Sequence, residues 1–80
     1  MAGPEKHILH ILIVDDDAAL QESLSEQLQL NGEFSTAAVA SASAGLAYAA
    51  SHAVDVILIA GQLPDMPGVE LCRLLRAQGV

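Results

Sequence analysis

Eighty residues with ten acids against three Lys and Arg give a net charge of −7, and apolar residues make up 52% of the chain. A chain this short holds one small domain with a thin core, hiding only about 60% of the surface its unfolded form exposes. The acidity excludes a nucleic-acid-binding surface, which needs clustered Lys and Arg, and the apolar content excludes a disordered chain.

Fourteen alanines and twelve leucines supply most of the apolar content, while aromatics make up only 2%. So few β-branched and aromatic residues do not make an all-β sandwich. The longest apolar run, residues 53–63, is interrupted by Asp55, Gly61 and Gln62, so nothing in it spans a bilayer. No basic start followed by an apolar stretch and a small-residue cleavage site is present. The single cysteine, Cys72, has no internal disulfide partner. These features together point to a cytoplasmic α/β or α domain.

Residues 1–6 carry Gly and Pro and read as a loose arm or leader, with the domain over residues 7–80. Residues 7–14 (HILHILIV) are a short, nearly continuous apolar run that stops at three aspartates. That is the pattern of a strand buried on both faces of a parallel sheet. Residues 18–31 change period: Leu20, Leu24 and Leu28 recur every four residues between polar ones, which predicts an amphipathic helix. An aspartate opens that helix and Asn31-Gly32 closes it.

Residues 33–39 predict a second strand, and residues 43–51 an Ala-rich second helix ended by His52. Residues 55–60 (DVILIA) predict a third, buried strand, followed by a loop over residues 61–67 with two prolines. Residues 68–78 predict a third helix whose apolar face is Val69, Leu71, Cys72, Leu75 and part of Leu74. Three strand-helix units in a row call for a parallel sheet with right-handed crossovers.

The chemistry sits in two places. Asp15, Asp16 and Asp17 follow the first strand, where open parallel sheets place their ligands. Adjacent carboxylates there suit a hard cation such as Mg²⁺, while Asp17 alone is also a helix cap. The second place is Asp55-Val-Ile-Leu-Ile-Ala-Gly-Gln-Leu-Pro-Asp-Met-Pro-Gly68. It closely resembles the third strand and following loop of bacterial response-regulator receiver domains. Ile11-Leu-Ile-Val-Asp-Asp-Asp17 is similar to the same family's acidic start, and the likeness extends over residues 8–79.

That resemblance implies a flavodoxin-like parallel sheet of order 2-1-3-4-5 flanked by helices, of which this sequence covers the first three units, a partial 2-1-3 sheet. It implies a two-component phosphorelay, in which a histidine kinase or phosphotransfer protein passes a phosphoryl group to an aspartate beside Mg²⁺. Carried over, Asp15 and Asp16 match the metal-binding acids, and Gln62 matches the residue lending its backbone carbonyl to the metal. The phosphoacceptor position falls on Ala60, which has neither nucleophile nor ligand. Asp55 does not replace it, lying five residues earlier, roughly 16 Å away at strand rise. Asp65 reads as an ordinary loop acid. The family's later switch Ser or Thr, phosphate-binding Lys and switch aromatic have no counterpart here. The chain is therefore expected to be no enzyme, and Mg²⁺ binding is expected to be weak.

Two alternatives come with this reading. A receiver-shaped module can serve protein-protein interaction without phosphorylation, and a third strand left as the sheet edge would favour a homo-oligomer. The spacing Asp15-x-Asp17 also resembles haloacid-dehalogenase-type Mg²⁺-dependent phosphatases. There, however, the residue two beyond the second aspartate is Thr or Val, and here it is Ala19. His7 and His10, three apart on a strand, face opposite ways and do not form a metal pair. His52 reads as a helix-end residue and Cys72 as core packing.

Overall fold

A computed structural model of the chain describes residues 8–30 and 32–79. The elements run β1 (Leu9–Val14), α1 (Ala18–Gln29), β2 (Phe34–Val39), α2 (Ala42–Ser51), β3 (Val56–Ile59) and α3 (Gly68–Ala77). The three strands form one parallel sheet in the order β2-β1-β3. All six expected elements are present, with ends shifted by one or two residues as capping and fraying dictate. The expected arm, His7 and Asn31 lie outside the described residues.

The topology follows from handedness. β1 lies between its partners, so the crossover to β2 and the crossover from β2 to β3 run in opposite directions. Right-handed connections then put α1 on one face of the sheet and α2 with α3 on the other. Contacts agree: α1 packs on β2, and α2 packs on α3 and β1.

β1 is the core strand because it has a neighbour on each side and helices on both faces. Leu12 and Val14 point toward α2 and α3, joining Ala42, Leu63, Leu71 and Leu75 in the main cluster. Ile11 and Ile13 point the other way and are also buried. Such alternation with both faces covered is what a central parallel strand requires.

Three expectations about packing are corrected. Val69, assigned to the apolar face of α3, is 72% exposed, because Gly68, Leu71 and Leu75 supply the buried side of that helix. Leu20 is 43% exposed and α1 buries no residue fully, so its leucines shield β2 only in part. β3 is not a fully buried strand. Val56 and Leu58 are 41% and 40% exposed, since among the described residues β3 pairs with β1 alone and its α1-side face is uncovered.

The turn from β3 into α3 is set by a close approach. Gly68 lies so near the end of β3 that a Cβ placed on it would sit 2.0 Å from the Ala60 carbonyl oxygen. Its N–H donates to the Gly61 carbonyl at 3.1 Å. Only glycine lets the first turn of α3 rest on the strand end there.

Candidate functional site

The parallel register brings two strand ends level. Val14 pairs with Ile59, and the Ala60 N–H donates to the Val14 carbonyl at 2.9 Å. The Asp15 N–H in turn donates to the Val39 carbonyl of β2 at 3.0 Å. Asp15 and Ala60 thus leave neighbouring strands side by side at their carboxyl ends. This is where the direction of connection reverses, and the crevice of an open α/β sheet forms there.

The three aspartates have separate duties. Asp17 is the N-cap of α1, its Oδ1 accepting from the Leu20 N–H at 3.1 Å. Asp15 is half-buried, and its Oδ1 accepts from the Asp17 N–H at 2.9 Å, which bends the chain out of β1. Asp16 is exposed, with no hydrogen bond to its carboxylate among the described residues. Gln21, which sequence reasoning passed over, staples the rim: its Nε2 donates to the Asp15 carbonyl and, at 2.8 Å, to the Val39 carbonyl.

On the β3 side, residues 60–68 form a small closed loop. Gln62 and Pro67 face each other as an antiparallel bridge, held by Leu63 N–H to Met66 carbonyl and Gly68 N–H to Gly61 carbonyl, both 3.1 Å. Leu63 is buried in the core and Met66 packs against it. The Gln62 carbonyl accepts no hydrogen bond among the described residues.

Asp65 is the residue sequence reasoning misjudged. Its Oδ1 accepts from the Ala42 N–H at 2.8 Å and its Oδ2 from the Ser43 N–H at 2.9 Å. One carboxylate satisfies two orphan donors of α2, while Ser41 Oγ takes the Ala44 N–H at 3.2 Å. The Ser43 and Ala42 N–H groups hold the Asp65 carboxyl below its ordinary range. An acid after a proline in a loop was visible in the sequence, but a partner more than twenty residues away was not.

Among the described residues, no cluster of three His, Cys, Asp or Glu side chains could hold a metal ion. Asp15 and Asp16 follow β1, and Gln62, whose carbonyl accepts no hydrogen bond among the described residues, follows β3 at the same end of the sheet. Two carboxylates and a carbonyl fit a Mg²⁺ ion, which takes one or two carboxylates and completes its octahedron with water.

A family model described as the response regulator receiver domain matches residues 11–80. The chain belongs to the response-regulator receiver family. It is 40% identical over 67 residues to the DNA-binding response regulator MtrA of Mycolicibacterium paratuberculosis, covering 84% of this chain and 29% of that protein. Among solved structures it is similar to a CheY-like receiver domain from Methylobacillus flagellatus, with TM-score 0.83 and 31% identity. That likeness covers 88% of this chain and 58% of the other. A second, an aspartate-to-alanine mutant of the response regulator MaeR bound to sulfate, has TM-score 0.83 and 26% identity. It covers 91% and 61% respectively. The chain thus spans less than a third of its curated relative and under two thirds of these receiver chains.

The remaining candidate residues lie away from the crevice. Asp55 and His10 pair at the opposite end of the sheet, with the His10 N–H donating to Asp55 Oδ2 and the Asp55 N–H to the His10 carbonyl, both 2.8 Å. His52 stacks on Tyr48 at a centroid distance of 3.9 Å at the end of α2. Cys72 is half-buried beside a cavity of about 220 Å³ that Ile57, Ile59, Leu75 and Arg76 also line. Asp17, which a dehalogenase-type reading needs as an acid facing the crevice, is committed to its helix cap.

Proposed function

We propose that this chain is a receiver-like module of a two-component signalling system that accepts no phosphoryl group at its own strand end, because Ala60 occupies the acceptor position. The placement of Ala60 beside Asp15 carries the reading. A carboxylate at that position would face the acid pair across adjacent strands and could attack phosphorus while its charge completed the metal site. A methyl group does neither. A solved structure of this shape, that of the response regulator MaeR, is itself an aspartate-to-alanine mutant.

In this reading Asp15, Asp16 and the Gln62 carbonyl hold Mg²⁺ weakly, and bound Mg²⁺ would supply charge neutralisation for oxyanions. The chain's own residues bind and orient: Asp17 and Gln21 fix the β1 end, and Gly68 fixes Ala60 against α3. The module performs no catalysis of its own, resides in the cytoplasm, and its partner is a histidine kinase or phosphotransfer protein whose docking need not lead to transfer. Titration with Mg²⁺ tests the assignment. Ala60→Asp should tighten binding by about tenfold or more through the added carboxylate. Unchanged affinity would overturn the placement of Asp15 and Asp16 in the site.

A second reading rests on the exposure of Val56 and Leu58 along a strand that, among the described residues, pairs with β1 alone. An open, apolar strand recruits another, and a second copy of the chain supplies one. On this reading the module works as a phosphorylation-independent homo-oligomer. Sedimentation of the chain at micromolar concentration should show a dimer or larger species, and a monodisperse monomer would contradict it.

A further inference from the structure

We infer that Asp65 is a positioning residue for the cation site: by binding the Ala42 and Ser43 N–H groups it fixes the loop that presents the Gln62 carbonyl, and so couples cation binding to the start of α2. The inference rests on the Mg²⁺ reading given above. Three observations carry it. Asp65 bridges two separate connections at the carboxyl end of the sheet, from residue 65 back to residues 42 and 43. It sits at the tip of the closed loop whose base is Gln62, three residues away. Leu63 and Met66 hold the same loop from below, in the core, while the Asp65 carboxylate ties it sideways to the start of α2.

The geometry is suited to this work. Two charge-assisted bonds to consecutive amides fix a carboxylate in orientation as well as in position. The partial positive charge of the α2 N-terminus, a ten-residue helix, adds to the hold. A loop carbonyl contributes to a hard-cation site only when it is held at coordinating distance, and groups that hold ligands typically alter metal affinity by about 10–100-fold. By thermodynamic reciprocity, a cation that needs the Gln62 carbonyl in place must also tighten the Asp65 tie.

Nuclear magnetic resonance titration of the ¹⁵N-labelled full chain with Mg²⁺ tests this with four proteins. The unaltered chain should bind, and Asp16→Asn should abolish binding. Failure of either result breaks the underlying cation-site reading. Asp65→Asn, which keeps the shape but loses the charge and one acceptor, should weaken Mg²⁺ affinity roughly tenfold. Ser41→Ala removes the other α2 cap without touching the loop and should leave affinity within twofold. With the cation site intact, an Asp65→Asn affinity within twofold of the unaltered chain overturns the positioning role. So does an equal loss in Ser41→Ala, which would make the effect one of general stability. A readout in the unaltered chain needs no variant: Mg²⁺ should slow hydrogen exchange at the Ala42 and Ser43 amides, and exchange there unchanged at saturating Mg²⁺ also overturns it.

Discussion

Replacing Gly68 by alanine tests how the β3 end is held. A Cβ on residue 68 would meet the Ala60 carbonyl oxygen at 2.0 Å, the Ile59 Cγ2 at 2.9 Å and the Ala60 carbonyl carbon at 3.1 Å. The nearest of these is backbone, and the Ala60 N–H is itself bonded to Val14, so relief requires moving α3 away from the sheet. Overpacking by one methyl group costs about 1–3 kcal/mol, and a clash with bonded backbone belongs at the upper end. Better helix propensity returns up to about 1 kcal/mol, leaving a net loss of about 2 kcal/mol. A chain of this size is expected to be stable by only about 4–12 kcal/mol. With a urea m-value near 1 kcal/mol/M, the unfolding midpoint should fall by about 2 M. Gly61, in the same loop, has nothing within 4 Å of the equivalent Cβ and no positive φ, so Gly61→Ala should stay within about 0.5 kcal/mol of the parent. Equal midpoints for Gly68→Ala and the parent would refute the close approach and the placement of Ala60 that depends on it.

Asp65 gives acid sensitivity a defined window. Its folded-state pKa is depressed, so the ionised carboxylate stabilises the fold fully above the ordinary Asp value of about 3.9 and loses that contribution as pH falls through the lower, folded value. Urea unfolding of the parent and Asp65→Asn should therefore differ most near neutrality and converge below about pH 4. A difference independent of pH would contradict the two amide bonds. Asp17→Ala should cost about 1 kcal/mol through loss of the α1 cap, measured by the same unfolding assay. Leu71→Ala should cost about 2–5 kcal/mol at a fully buried position, whereas Val69→Ala should stay within about 0.5 kcal/mol.

The fold was legible because its signals are local. The apolar run through Val14, the four-residue leucine spacing of α1 and the DVILIA segment each carry their own period, and three repeats of strand then helix call for a parallel sheet of one handedness, while the 2-1-3 order was implied by the receiver resemblance. What the sequence concealed depends on contacts between distant segments. Val69 has the right hydropathy for a core position but lies on the side of α3 that turns away from Leu71 and Leu75. Val56 and Leu58 read as buried because their strand is apolar, whereas burial is decided by what covers each face.

The site divides in the same way. Asp15, Asp16, Ala60 and Gln62 were named by the receiver resemblance, and the β1–β3 register puts Asp15 beside Ala60. Asp17 could be read as a cap from its position before the helix. Asp65 and Gln21 could not be read, because their partners lie 22 and 18 residues away along the chain and meet them only when the strand ends align. Gly68 looked like a helix start, and its approach to Ala60 emerges only with the turn in place.

On the proposed reading, this receiver-shaped chain takes no phosphoryl group. Incubation with acetyl phosphate and Mg²⁺, followed by intact-mass measurement, tests it most directly. The full chain should keep its unmodified mass. A stoichiometric phosphoryl adduct removed by hydroxylamine would mean that an acyl phosphate forms on another carboxylate, and would contradict it.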